Sequence, residues 1–188
     1  MNLLGAAGAE RRHLGRQVRR GLAHDLVLLS GGLSVGLHDL VTEVLADLGC
    51  RVLIRHVAMR PGKLVLFARG PSGQLVFGLP GNAVGVLVTC RLFVRSVVRK
   101  LMGRKRDVVR HRARLQAECR KEAGRTRFLP ACTVRRRDGL AAEPVPWHGS
   151  SDLIAASRAN SLIVLPKSVT RRQVGETVTV YLPEPGDA

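Results

Sequence analysis

The stretch VFGLPGNAVGVLV, residues 76–88, decides how the first half of the chain is read. A strand-like run, Leu75-Val76-Phe77, stops at Gly78. Turn chemistry follows in Leu79-Pro80-Gly81-Asn82, and a long apolar segment then opens. Asn82 suits an N-cap, because its side-chain oxygen can accept from a free N–H of the first helical turn. Gly81 lets another group approach the backbone closely. A helix that begins so abruptly after a strand also presents unpaired N–H groups and the positive end of its dipole, which favour an anion. The stretch reads either as plain punctuation or as an anion-binding strand–helix turn.

Outward from it, the helix is expected to run from the LPGN turn to about Met102, with Gly103 as its stop. Upstream, Leu64 to Arg69 and Gln74 to Phe77 read as two strands joined by Gly70-Pro71-Ser72-Gly73. Residues 51–58 (RVLIRHVA) read as a further strand, and Met59-Arg60-Pro61-Gly62-Lys63 as a Pro-Gly turn. The continuous apolar run Asp25 to Leu29, set between helices, suits a buried parallel strand. Those helices are expected over 9–22, with Leu14, Val18 and Leu22 on one face, and over 38–48, with Leu40, Val41, Val44, Leu45 and Leu48 at helical spacing. From about Arg104 the texture changes to alternating segments at 108–116, 128–135, 161–165 and 177–182, with one short helix at 152–159. The expected architecture is α/β over 1–103, followed by a small β-rich domain over 104–188.

Composition narrows the function classes. At 45% hydrophobic the chain can bury a core, and with 3% aromatic residues that core must be aliphatic. No apolar run approaches the roughly 20 residues of a membrane helix. The N-terminus lacks the basic flank of a signal peptide, so a soluble cytoplasmic protein is expected. Cys50, Cys90, Cys119 and Cys132 are far apart in sequence, with no CxxC pattern, which argues against zinc. The net charge of +17 invites a nucleic-acid reading. Against it, the densest basic stretch, Arg95 to Arg114, holds no aromatic residue to stack on a base.

Three loops follow strand ends, where open α/β sheets bind ligands. Ser30-Gly31-Gly32-Leu33-Ser34-Val35-Gly36 is glycine-rich, and its N–H groups can face a phosphate. Asp39 then stands at a helix start, where a carboxylate also stabilises the dipole. Residues 32–36 also match G-x-S-x-G, the nucleophile elbow of α/β-hydrolases. That reading needs a later acid, Asp107 or Asp138, and then His148, all within what reads as a separate β domain. In the MRPGK loop, Arg60 and Lys63 are two cations around a tight turn that can grip an oxyanion.

Taken together, DLVLLSGGLSVGLHD, VAMRPGK, VFGLPGN and LVTCRLFVRSVVRKLMG resemble the molybdopterin molybdenumtransferase family, the MoeA-type enzymes related to the gephyrin E domain. GRTRFLPA (124–131), HGSSD (148–152) and SRANSLIVLP (157–166) are similar to that family's C-terminal β domain. The resemblance runs from about residue 9 to about 182. It implies an αβα sandwich pterin-binding domain, truncated at its N-terminus, and a small β-barrel-like domain after it. It implies insertion of molybdate-derived molybdenum into adenylylated molybdopterin, with release of AMP and with Mg²⁺ involved. By the same resemblance Asp39 is the acidic catalytic residue and a Mg²⁺ ligand. Gly31, Gly32, Ser34, Gly36, Arg60, Lys63, Pro80, Gly81, Asn82, Arg125 and Ser150 bind the substrates. The family acts as a dimer, so the implied partner is a second copy or a chain that supplies the missing N-terminal domains.

Three residues depart from the family pattern. Arg60 stands for a lysine, Leu64 for a proline, and Ala83 for a proline that would stiffen the helix start. The alternative implied by these departures is a relative that binds molybdopterin nucleotide, or a partner, without turnover.

Overall fold

The computed structural model describes residues 2–7, 10–32, 38–104, 109–149 and 151–182; of His38 and Asp39 it describes only the backbone. The chain divides into two compact units, Met1–Val57 with Gly62–Thr89, and Ala58–Pro61 with Cys90–Ala188. The change of composition at 103/104 therefore follows, rather than coincides with, the point at which the chain enters the second unit.

The first unit holds α1 (Arg11–Gly21), β1 (Leu26–Ser30), α2 (His38–Asp47) and β2 (Arg51–Ile54). After β3 (Met59–Arg60), which belongs to the second unit, come β4 (Leu66–Arg69), β5 (Leu75–Leu79) and α3 (Ala83–Thr89). Its sheet has the order β1-β5-β4-β2. β1 runs parallel to β5, while β4 is antiparallel to both β5 and β2. Side chains alternate across a strand, so Val27 and Val76, opposite one another, face the same layer. There they meet Leu14 and Val18 of α1 and Val41, Val44 and Leu45 of α2. The apolar spacing of both helices is thus spent on one shared core. At the rim, Arg11 reaches Glu43 and Asp47 at 2.7 Å each and ties α1 to α2.

The strand before LPGN does not stop at Gly78. β5 continues through Gly78 to Leu79, because Gly78 pairs with Leu29 and Leu79 with Ser30 in the parallel ladder. A glycine lowers strand propensity, but partner strands on both sides, Leu29 and Leu66, outweigh that preference. The expected single helix from LPGN to Met102 is also modified. α3 is followed by a π-helical turn, Cys90–Val94, and then by α4 (Arg95–Leu101).

The second unit contains β6 (Arg110–Leu115), β7 (Cys119–Arg120), β8 (Thr126–Arg136), β9 (Gly139–Pro144), α5 (Leu153–Arg158), β10 (Ser161–Leu165), β11 (Arg171–Arg172) and β12 (Thr177–Tyr181). Strands β10, β12, β6, β9 and β8 lie in that order, and β10 pairs again with β8, which closes a small barrel. Closure depends on the length of β8. Its first half pairs with β10 and its second half with β9, the change coming at Ala131, which faces both Ser161 and Pro144. Pro130 sits at that change, where its missing N–H matters least. The interior is filled by Ala113, Leu115, Ala131, Ala142, Ile163, Leu165 and Val180, so the barrel is solid. Small residues alternating with large ones fit such a tapering interior.

Polar groups close the barrel's seam. Asn160 behaves as an additional strand residue: its Nδ2 donates to the Thr133 carbonyl at 2.9 Å, and its Oδ1 accepts from Thr133 N at 2.7 Å. The buried hydroxyls of Thr133 and Ser161 lie 2.7 Å apart. Outside the barrel, β11 pairs with β7, and Glu118 is hydrogen-bonded by both Arg120 and Arg171.

Those two guanidinium groups hold the Glu118 carboxyl at about 2, below its ordinary 4.5. A depressed folded-state value means that the contribution is complete above pH 4.5 and is lost as the pH falls toward 2. Urea unfolding of Glu118→Gln should therefore show a shallower loss of stability across that acid window than the unsubstituted chain. A parallel loss in both proteins would show that the Arg120–Glu118–Arg171 group does not contribute.

Candidate functional site

In the first unit the parallel register of β1 and β5 sets the carboxyl ends of both strands level. Ser30 pairs with Leu79, and Gly31 N then donates to the Leu79 carbonyl at 3.2 Å. Gly31 and Gly32 have φ of +83° and +70°, the left-handed region that favours glycine. A Cβ built on Gly81 would lie 3.5 Å from the Gly31 Cα. The glycine-rich turn after β1 and the LPGN turn after β5 therefore meet backbone to backbone. Pro80 is buried between strand and helix, and Gly81 is exposed.

Asn82 does cap the helix. Its Oδ1 accepts from Gly85 N at 2.7 Å, and its carbonyl accepts from Val86 N at 3.0 Å. The N–H groups of Ala83 and Val84 are those that a first helical turn leaves open. Of the other residues expected at this edge, Ser34 and Gly36 lie outside the described residues, as does the side chain of Asp39, second residue of α2. Lys63 is exposed, and its carbonyl accepts from Val57 N at 3.1 Å.

Arg60 is not on the same sheet as those turns. Met59 and Arg60 form β3, which pairs in parallel with Thr126 and Arg127 of β8 in the second unit. The MRPGK segment is thus partly strand, because an edge of the barrel sheet gives its backbone a partner. Arg125 is half-buried just before β8, and Ser150 lies outside the described residues. His148, the histidine that a hydrolase would need, has its Nδ1 3.4 Å from Asp152, which caps α5 through Ala155 N. Among the described residues, no group of three or more His, Cys, Asp or Glu is gathered to hold a metal ion. No described helix is long and apolar enough to cross a membrane.

Comparison with known proteins bears on these turns. The family model described as probable molybdopterin binding domain matches residues 4–100, and that described as MoeA C-terminal region (domain IV) matches residues 112–182. The chain belongs to the molybdopterin-binding domain family. A molybdopterin molybdenumtransferase of Nostoc sp. is 36% identical over 174 residues, covering 89% of this chain and 40% of the relative. One of Bacillus subtilis is 33% identical over 159 residues, covering 84% of this chain and 37% of the relative. The chain thus spans about 40% of the length of these curated relatives. Among solved structures, a molybdopterin biosynthesis MoeA protein from Pyrococcus horikosii superposes with a TM-score of 0.77 at 27% identity. That match covers 95% of this chain and 42% of the archaeal one. A molybdenum cofactor biosynthesis protein from Pyrococcus furiosus gives 0.69 at 25% identity, over 93% and 55% of the two chains. The α/β unit followed by a closed small barrel is the architecture that this chain shares with these neighbours.

Sequence reasoning missed Gly85. A Cβ there would fall 2.5 Å from Asn82 Oδ1 and 3.0 Å from its Cγ and Nδ2. The signal was present as a glycine three residues after an N-cap asparagine, between the β-branched Val84 and Val86. Replacing a helical glycine by alanine ordinarily stabilises by about 0.5–1 kcal/mol. Here Gly85→Ala should instead destabilise by about 0.5–2 kcal/mol, the worth of a lost cap. In an Asn82→Ala background the same substitution should become neutral or stabilising. Chemical unfolding of the four members of this cycle checks the change of sign.

Proposed function

We propose that the chain works in molybdenum cofactor biosynthesis, inserting molybdenum from molybdate into adenylylated molybdopterin with release of AMP. The observation that carries this reading is the meeting of the Ser30-Gly31-Gly32 and Leu79–Asn82 turns at one sheet edge, in a chain of the molybdopterin-binding family. Two glycine turns in contact let a ligand approach the backbone, and the open N–H groups of Ala83 and Val84 suit a phosphate. Gly31, Gly32, Gly36, Pro80, Gly81 and Asn82 shape the nucleotide or pterin-phosphate pocket, with Asn82 acting as cap rather than as direct ligand. In the first unit Ser34 binds molybdate and Lys63 supplies positive charge for the anions; in the second unit Arg125 and Ser150 bind molybdate and Arg60 supplies positive charge.

Asp39 is the catalytic acidic residue. A lone carboxylate fits Mg²⁺, which is commonly held by one or two carboxylates together with substrate phosphates. The ion would neutralise phosphate charge, and Asp39 would hold it. Held by one carboxylate and by phosphate oxygens, the ion is expected to bind together with the nucleotide. Residues 1–103 are read as the partial pterin-binding domain and 104–188 as the MoeA-type β domain. A second copy of the chain, or a chain carrying the segments of the relatives that this one does not span, is the proposed partner in turnover. Four free cysteines suit a cytoplasmic location. A second reading, binding without turnover, is favoured by Ala83 where the family pattern has a proline that stiffens the helix start.

Calorimetric titration with AMP, with and without molybdate and Mg²⁺, tests the proposal. Binding should weaken by roughly tenfold or more, about 1.4 kcal/mol, in Asp39→Ala, Lys63→Ala and Gly81→Val. The Mg²⁺ dependence should vanish in Asp39→Ala. Undiminished affinity in a folded Gly81→Val protein would remove the turns from the site. Release of AMP from the adenylylated substrate after addition of a relative's N-terminal domains would decide between turnover and binding alone.

A further inference from the structure

Arg127 stands out in the barrel unit. It is the Cα partner of Arg60 across the parallel ladder of β3 and β8. Residues opposite one another in a ladder project to the same face, so two guanidinium side chains rise together. None of the ion pairs among the described residues includes Arg127. Its Nη1 donates to the Arg120 carbonyl at 3.5 Å, beyond ordinary hydrogen-bond length. Its Nε is buried and finds no acceptor among the described residues. What holds the group is Trp147, whose ring centroid lies 5.7 Å from the guanidinium carbon.

The surroundings are unfavourable to this cation. Burial first, and then the charge of Arg60, push the Arg127 pKa down. The Cys119 thiol is a poor counter-charge, because its own burial raises its pKa, and the Glu122 carboxylate opposes the Arg127 shift without reversing it. An arginine nonetheless stays protonated in proteins. A half-buried cation beside a second cation, with an unmet N–H and an aromatic ring fixing its plane, is poised to accept a negative group with fork geometry.

We infer that Arg127, held by Trp147 and paired with Arg60, binds a tetrahedral oxyanion on the barrel unit, either free or as the phosphoryl group of a nucleotide. This rests on the proposed function for the choice of phosphate and molybdate as probes and shares Arg60 with it. Arg127 and Trp147 are then binding residues in addition to those that the resemblance implies.

Trp147 is the single tryptophan of the chain, so its emission reports directly on this site. The intact chain would be titrated with inorganic phosphate, molybdate, AMP and adenosine. A saturable change is expected with the three oxyanions and none with adenosine. The affinity should fall roughly tenfold or more in Arg127→Met and in Arg60→Met. It should be unchanged in Arg135→Met, an exposed cation farther along β8. Tighter binding of AMP than of phosphate would assign the site to a nucleotide phosphoryl group; equal binding would assign it to the free oxyanion. A silent Trp147 in the unsubstituted chain would overturn the inference. So would a response that survives either substitution, and Arg60 is exposed, so its variant serves if Arg127→Met fails to fold. AMP heat without a Trp147 response would remove this site and keep the proposed function. An oxyanion response without any AMP binding would do the reverse.

Discussion

The parallel pairing of β1 with β5 is the constraint on which the first unit depends. Five register pairs, from Leu26 with Leu75 to Ser30 with Leu79, do two things at once. They turn Val27 and Val76 toward the layer formed by α1 and α2. They also end both strands at the same level, so that Gly31 bonds to Leu79 and lies against Gly81. A slip of one residue would turn the apolar set to the wrong face and separate the two glycine turns. Core burial and the meeting of the two glycine turns are therefore held by one register, and neither can drift without the other.

In the barrel unit a single long strand has the corresponding role. β8 serves β3 and β10 with its first half and β9 with its second. Because β3 attaches at the start of β8, Arg60 acquires its neighbours from a strand that follows it by more than sixty residues. The chemistry near Arg60 is thus set by the barrel, although its local sequence reads as a turn.

Much of this was legible from residues alone, for identifiable reasons. Periodic apolar spacing revealed α1 and α2, and the run SLIVL between turn residues marked β10. The short helix read over 152–159 is α5, and the structure shows its cap, the Asp152 side chain accepting from Ala155 N. The glycine turns could be read as candidate ligand loops because few side chains tolerate such backbone. What escaped had no local signature. β3 is two residues long and exists only through its partner. β9, GLAAEP, is poor in β-branched residues and is a strand because β6 and β8 flank it. The π-helical turn leaves no break in the apolar pattern of residues 83–101. Arg127 looked like one more arginine in a basic chain, since its meaning lies in Arg60 and Trp147, both distant in sequence.

The amide that completes the barrel seam carries a chemical liability. Asn160 is followed by Ser161, a small residue that permits slow loss of ammonia from the side chain. The product, a carboxylate, could still accept from Thr133 N but would have no proton to give the Thr133 carbonyl, which would then face a negative oxygen. The ladder that holds Asn160 also restrains the backbone motion which that reaction needs. The barrel thus protects its most perishable atom for as long as it stays closed, and storage lifetime is tied to the integrity of one seam.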